Sequence, residues 1–447
     1  MSDFNLEVDI PNAARWPLKS ADSLCSVISR GTAPVYVEES EVRAIGQRCV
    51  SSRGFIAEHA RPHSESAVSG VLRPESGDVL LNSTGTGTIG RSVIFDSPGK
   101  FIVDGHVTLM RPRRDSADGR WLNSVLQTPH AQRHLERFCY AGSTNQLELS
   151  RTPLRLSQIP TPSLNEQEII GSVVDTLDAA IHETEALIAK LKAVKHGLLH
   201  DLLTRGIDAN GELRPPQSEA PHLYKPSSLG LIPAGWDTKC ISELLADLDP
   251  SMRSGPFGSA LLKHELVDDG FPLLGIDNVH TERFASDYAR FVTPMKFAQL
   301  ARYAVRPDDL MITIMGTVGR CCLVPGNIGH ALSSKHTWTI TLDHDAYSPY
   351  LAMLQINYSP WVLAHFARDQ QGGTMAAIRS DTLRSTLLPV PPREEQRLME
   401  QRLRTLSERI ESEATSLTKR RAEKAGLMDD LLTGRVRVTP LLDAATA

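Results

Sequence analysis

Gly85-x-Gly87-x-x-Gly90 is the first stretch of this 447-residue chain whose spelling suits a chemical task, because it has the letters of a dinucleotide-binding turn. That task needs a helix opening at the third glycine, to receive a pyrophosphate, and an acidic residue about 20 positions on. RSVIFDSPGKFIV follows instead, and its composition predicts strand and turn. A second copy, Met315-Gly316-Thr317-Val318-Gly319, lacks the first glycine. The better reading is a glycine turn that carries backbone, with Arg91 or Arg320 beside it, close to a partner. His196-x3-His200 would set two imidazoles on one helical face, as a zinc site does, but no Glu follows His196 and no third ligand is evident. A surface or interface role is expected there, and no metal site is assigned. No GxSxG, P-loop, paired-carboxylate or adenine-methylation motif stands out, so no catalytic residue is assigned and the chain is read as a non-enzyme.

What remains are loops rich in side chains that read or grip nucleic acid. Arg forks to guanine, Asn and Gln pair with adenine, and more than half of protein–DNA hydrogen bonds go to phosphate and sugar. The candidate DNA-binding residues are Arg53, Arg91, Arg113, Asn145 and Gln146 in the first half, and Ser254, Phe257, Ser259, Lys263, Arg320, Gln371 and Thr374 in the second.

These loops sit in a chain that is written twice. IPTPSLNEQEII returns as LPVPPREEQRLM and HGLLHDLLT as AGLMDDLLT, with Gln167 and Gln396 standing 229 positions apart, as do Thr204 and Thr433. Gly87, Gly90 and Arg91 map onto Gly316, Gly319 and Arg320 at the same interval, while His106 and His336 are 230 apart, a residue gained in a loop. The repeat predicts two equivalent halves.

In each half a mixed α/β stretch precedes a long helix. The first begins at Trp16, with strand-like runs APVYVEE, GDVLLNST, RSVIF and HVTLMRP and a helical segment around Trp121–Tyr140. The second restarts at Trp236. Ile170, Val174, Leu177, Ile181, Thr184, Ile188, Leu191, Lys195, Leu198 and Leu202 then recur in steps of four and three, the a/d seam of a coiled coil. Its counterpart is Met399, Leu403, Leu406, Ile410, Glu413, Leu417, Arg420, Lys424, Leu427 and Leu431.

Ser163-x-x-Glu166 spells a capping box, and Gly206 and Gly434 mark the helix stops. Gly197 and Gly426, inside the helices, predict close approach of another helix. The expected plan is a first recognition domain over 1–160, a spacer helix over 161–206, a Pro/Ser/Gly-rich linker over 207–232, a second recognition domain over 233–390, a second helix over 391–435 and a tail over 436–447. The fold class is α/β (α+β), a pseudo-twofold tandem repeat whose two helices pair as an antiparallel coiled coil. Residues 1–15 are expected to be loose.

A hydrophobic share of 41% and a charged share of 23% are ordinary for a globular protein, and a net charge of −5 argues against indiscriminate nucleic-acid binding. A tight grip on DNA would then be shared with a partner. Six cysteines without a CxxC pair predict free thiols. The start, MSDFNLEVDIPNAARW, has no signal-peptide pattern and no stretch is apolar enough to span a bilayer, so a cytoplasmic location is expected.

With IPTPSLNEQ and LPVPPREEQ at the helix starts, GLLHDLLTRG and GLMDDLLTGR at their ends, SSLGLIPAGW, SGPFGSALLK and the GTIGR and GTVGR turns, the chain resembles the DNA-specificity (S) subunits of type I restriction–modification enzymes. It departs from that pattern at its start, where NAARWPLKS replaces the fuller run before Trp236. The resemblance implies that each domain reads one half of a split, asymmetric double-stranded DNA site while the helices set the spacer. It implies two methyltransferase (M) subunits docked on the helices and carrying S-adenosylmethionine, and restriction (R) subunits that use ATP and Mg; no cofactor is expected on this chain itself. Sequence that differs between the halves would read DNA, and sequence shared by them would bind identical partners. The alternatives are a specificity module of another restriction–modification class, or a coiled-coil adaptor that never touches DNA.

Overall fold

In a computed structural model, residues 6–67, 69–142, 146–370 and 377–441 are described. The chain divides into two compact units, residues 1–189 with 412–447, and residues 190–411.

Each unit is built on the same antiparallel four-stranded sheet. In the first unit the spatial order is Cys25–Arg30, Val107–Pro112, Val79–Asn82, Ser92–Ile94. In the second it is Met252–Ser254, Thr337–Ile340, Leu310–Thr313, Cys321–Leu323. Val79–Asn82 and Leu310–Thr313 are buried at every position, which is why they are written as unbroken runs rather than alternating ones. A parallel pair flanks each sheet, Val42–Ile45 with Lys100–Val103 and Phe271–Leu274 with Leu332–Ser333. The start and end of each domain close on one another: Leu18–Ser20 pairs with Gln158–Pro160, and Asp237–Cys240 with Leu387–Val390. Trp16 and Trp236, the landmarks of the two openings, are both buried.

The two long helices run over Leu164–Thr204 and Arg393–Leu432. The capping box is formed, with Ser163 N donating to Glu166 Oε2 at 3.2 Å and Glu166 N to Ser163 Oγ at 3.4 Å. Gly206 and Gly434 take φ of +62° and +69°, the left-handed turn that ends a helix at little steric cost to glycine.

The repeated glutamine has a physical role in both units. Gln167 Oε1 accepts from Asp118 N at 2.9 Å and its Nε2 donates to Pro162 O at 3.0 Å. Gln396 accepts from Ser348 N and donates to Pro391 O, both at 2.8 Å. Asp118 and Ser348 are the N-caps of the domain helices Gly119–Gln127 and Pro349–Tyr358. One buried amide thus stitches each α/β domain to its long helix.

Within each unit, segments of the two long helices pass in opposite directions. In the first, Lys424 pairs with Asp178 and Arg421 with Glu185, each at 2.5 Å, and Arg420 Nη1 donates to Ala180 O at 3.1 Å. In the second, the start of the later helix meets the end of the earlier one: Glu395 accepts from Ile207 N at 2.9 Å and pairs with Arg214 at 2.5 Å, and Met399 and Leu403 share a buried cluster with Leu199, Leu202 and Leu203. Along the first seam Ile170, Val174, Ile181, Thr184 and Ile188 are buried, whereas Leu177, Leu191, Lys195 and Leu198 are only half-buried. On the second, Met399, Leu403 and Leu431 are buried, and Leu406, Ile410, Leu417 and Leu427 are half-buried.

Several local expectations need correction. Gly197 and Gly426 do not admit a neighbouring helix, since a Cβ built on either meets nothing within 4 Å. Residues 6–15 are not loose: Val8 and Ile10 are buried, and Val8 N donates to Gln158 O at 2.9 Å. APVYVEE is not a strand, because Val35, Tyr36 and Val37 are exposed and only Tyr36 makes a single bridge, to His63. The helical segment near Trp121–Tyr140 is broken at Thr128–Pro129, where Thr128 is extended and caps a second helix, Pro129–His134, followed by a wider turn over Leu135–Cys139. Within 207–232 the chain forms a hairpin of Tyr224–Ser227 with Gly230–Pro233. All six cysteines are free, and no helix among the described residues is long and apolar enough to cross a membrane.

Candidate nucleic-acid interface

The glycine turn of the first unit joins Val79–Asn82 to Ser92–Ile94 as a strand–turn–strand, which removes the dinucleotide reading. Gly85 sits at φ +97°, a backbone that side chains rarely adopt, and a Cβ there would also lie 2.2 Å from Gln47 Oε1 and displace that amide. Thr88 Oγ1 donates to the same Gln47 oxygen at 3.3 Å. Beside the turn, Thr84 Oγ1 and His106 Nδ1 are 2.8 Å apart, and Asp104 accepts from His106 N at 2.7 Å. Burial pushes the Asp104 carboxyl up, and its bonds to His106 oppose this.

Turn, glutamine and imidazole form one wall of a cleft of 1140 Å³. Arg30, Gln146, Glu148 and Arg151 help to form the rest. Arg30 is held at the strand end by Glu148 at 3.0 Å and by Ser83 O at 3.2 Å. The lining offers amide, guanidinium, hydroxyl and imidazole groups, the inventory for base edges and phosphates.

The second unit has a smaller hollow, of 160 Å³, which His336 lines as His106 lines the first cleft but which the glycine turn of this unit does not enter. Pro256, Lys263, Arg290, Lys335 and His336 line it. Arg290 is paired with Asp277. His336 is held below the usual imidazole range, first by burial and then by the positive charges of Lys335 and Arg290. The glycine turn here carries Gly316 and Gly319 at φ +72° and +87°, and Arg320 N donates to Thr313 Oγ1 at 3.1 Å.

Gln146 and Lys263 therefore lie in the clefts. Arg91 and Arg320 are exposed immediately after their turns, and Phe257 and Ser259 are exposed on the loop that leads to Lys263. Ser254 is buried, its Oγ donating to Lys335 O at 3.4 Å. Two residues stand elsewhere. Arg53 faces Glu185 of the first long helix at 3.8 Å. Arg113 follows the strand Val107–Pro112, at the opposite end from His106, roughly 20 Å away at the usual strand rise. Asn145, Gln371 and Thr374 lie outside the described residues.

Arg30, Gln47, His106, Arg290, Lys335 and His336 are cleft residues that sequence reasoning did not select. Their only signal was the register of the two histidines, whose meaning depends on strand pairing. Among the described residues no group of three or more His, Cys, Asp or Glu is arranged to hold a metal ion. His196 and His200 instead line a 240 Å³ hollow with Tyr358 and Trp361.

Residues 69–193 match the family model described as "Type I restriction modification DNA specificity domain". A putative type I restriction enzyme MjaX specificity subunit from Methanocaldococcus jannaschii is 23% identical over 372 residues, covering 81% of this chain and 79% of that protein. The type I restriction enzyme EcoBI specificity subunit of Escherichia coli is 20% identical over 269 residues, 59% of this chain and 54% of its own length. Among solved structures, the type I restriction–modification S subunit from M. genitalium is similar over 95% of this chain and 96% of its own, with a TM-score of 0.58 at 14% identity. A chain from a structure of type I R-M complex assembly and conformational transition covers 94% of this chain and 98% of itself, with a TM-score of 0.52 and 14% identity.

Proposed function

We propose that this chain, a DNA-specificity subunit of the type I restriction–modification family, reads a bipartite DNA site with one block assigned to each recognition domain. The observation that carries this reading is the contrast within the repeat. The two units share one sheet order and one glutamine stitch, while their clefts are lined by different residues. A frame kept constant around unlike readers suits an asymmetric target.

The chain contributes recognition and leaves catalysis to its partners. Methyltransferase subunits that carry S-adenosylmethionine dock on the outer faces of the long helices, and restriction subunits supply ATP- and Mg-dependent cleavage. The helices, 41 and 40 residues long, would each extend about 60 Å at the usual rise, enough to serve as the ruler between the blocks. The domain plan from 1–160 through 391–435 follows this division of labour, and the cytoplasm is where such DNA is met.

Assembled with its methyltransferase partner, the chain should protect two short DNA blocks that flank an unread spacer. One continuous footprint with no tolerant centre would overturn the proposal.

A further inference from the structure

The two units can be superposed in register at one corner. Thr108 pairs with Arg30 across the first sheet and Trp338 with Ser254 across the second, each two residues after its cleft histidine. The next residue is glycine in both. A Cβ on Gly31 would lie 1.8 Å from Val103 O, and one on Gly255 would lie 2.1 Å from Ser333 O, so both chains leave the sheet pressed against the parallel strand. Two residues further on, the first unit has Ala33 and the second has Phe257. Phe257 is 60% exposed, although a ring of this size normally gains from burial. It stands between the pinned Gly255 and Gly258, which takes φ +62°, and the hollow beside it is lined by Lys263, Arg290, Lys335 and His336.

We propose that Phe257 is a wedge that enters a base step of the DNA block read by the second recognition domain, partly unstacking it, while Lys263 and Lys335 hold the backbone. This inference rests on the DNA-reading function proposed above and gives it a physical mode. An exposed ring beside Lys263 and Lys335 suits a polyanion with stackable faces. Aromatic or apolar wedges unstack a step, and stacking supplies part of the return. The first unit has Ala33 at the position of Phe257, so the inference is confined to one block.

The test uses the complex with its methyltransferase subunits, after the recognised blocks have been defined by sequencing methylated sites. Duplexes carry 2-aminopurine at successive positions of both blocks. The expected result is a several-fold rise in fluorescence at one step of the second domain's block only. That rise should be lost in Phe257→Ala and kept in Phe257→Trp, with roughly tenfold weaker binding by the alanine variant. An abasic gap at that step should remove most of the alanine penalty. If no step brightens while both blocks are methylated, the wedge is wrong and the DNA-reading function stands. If no site-selective binding occurs, both fail. If Phe257→Ala sheds methyltransferase subunits on size-exclusion chromatography, the ring belongs to a protein interface and the inference is overturned.

Discussion

Asp78 and Asp309 occupy the same turn of the two units and are neutralised differently. Each caps its own turn, Asp78 accepting from Glu75 N at 2.7 Å and Asp309 from Arg306 N at 2.6 Å. In the first unit the cation is Arg111, from the strand Val107–Pro112, 2.8 Å from Asp78. In the second the residue just past the equivalent strand is Thr341, and the cation is Arg253, from the neighbouring strand, with Thr341 as a further donor to Asp309. Arg111 remains 24% exposed and its hydrogen bond to Asp78 pushes its pKa up; Arg253 is 2% exposed and burial pulls its pKa down. The frame needs a cation at this acid, and leaves open which strand supplies it.

The contrast is sharpest in stability. Arg253→Met should destabilise the second unit by about 3–5 kcal/mol, because Asp309 is left charged in a dry interior. Arg111→Met should cost less, roughly 1–2 kcal/mol, since the Arg111 side is open to water and Glu75 N still donates to Asp78. Urea unfolding of the two variants measures the difference, and equal losses would break the comparison. The shared parts should behave alike instead. Gln167→Ala and Gln396→Ala each leave a buried cap N–H without its acceptor and should each cost about 1–3 kcal/mol. A large effect in one unit and none in the other would show that the stitch is not equivalent.

The long helices, their caps and the glycine turns were legible because their signals are local: seam spacing, Ser163 with Glu166, glycine at positive φ. The clefts were not. Arg30, Gln47 and His106 are distant in sequence and meet only through strand register, and periodicity does not encode which residues end up opposite each other. Val8 and Ile10 looked like tail because their order comes from Gln158, about 150 residues away. Gly197 was misread for the opposite reason: a seam was assumed to be packed on every side.

A pH effect separates the clefts further. His336 is held low in the free protein by burial and by Lys335 and Arg290, so a phosphate brought beside it would raise its pKa. Binding would then take up a proton, and affinity for the second block should rise as pH falls through the histidine range, by a few-fold per pH unit. His336→Asn should flatten that dependence in binding isotherms between mildly acidic and neutral pH; an unchanged slope would place the imidazole away from DNA. The smallest effect expected is at the interior glycines, where Gly197→Ala and Gly426→Ala should each stabilise by about 0.5–1 kcal/mol in thermal unfolding, because the added methyl meets open space.

The central claim is that each recognition domain reads its own block. Genome-wide sequencing of methylated adenines in cells carrying Arg30→Ala, compared with wild type, tests it most directly. The account predicts relaxed base preference within one block, with the other block and the spacer unchanged. Relaxation spread over both blocks, or an altered spacer, would contradict it.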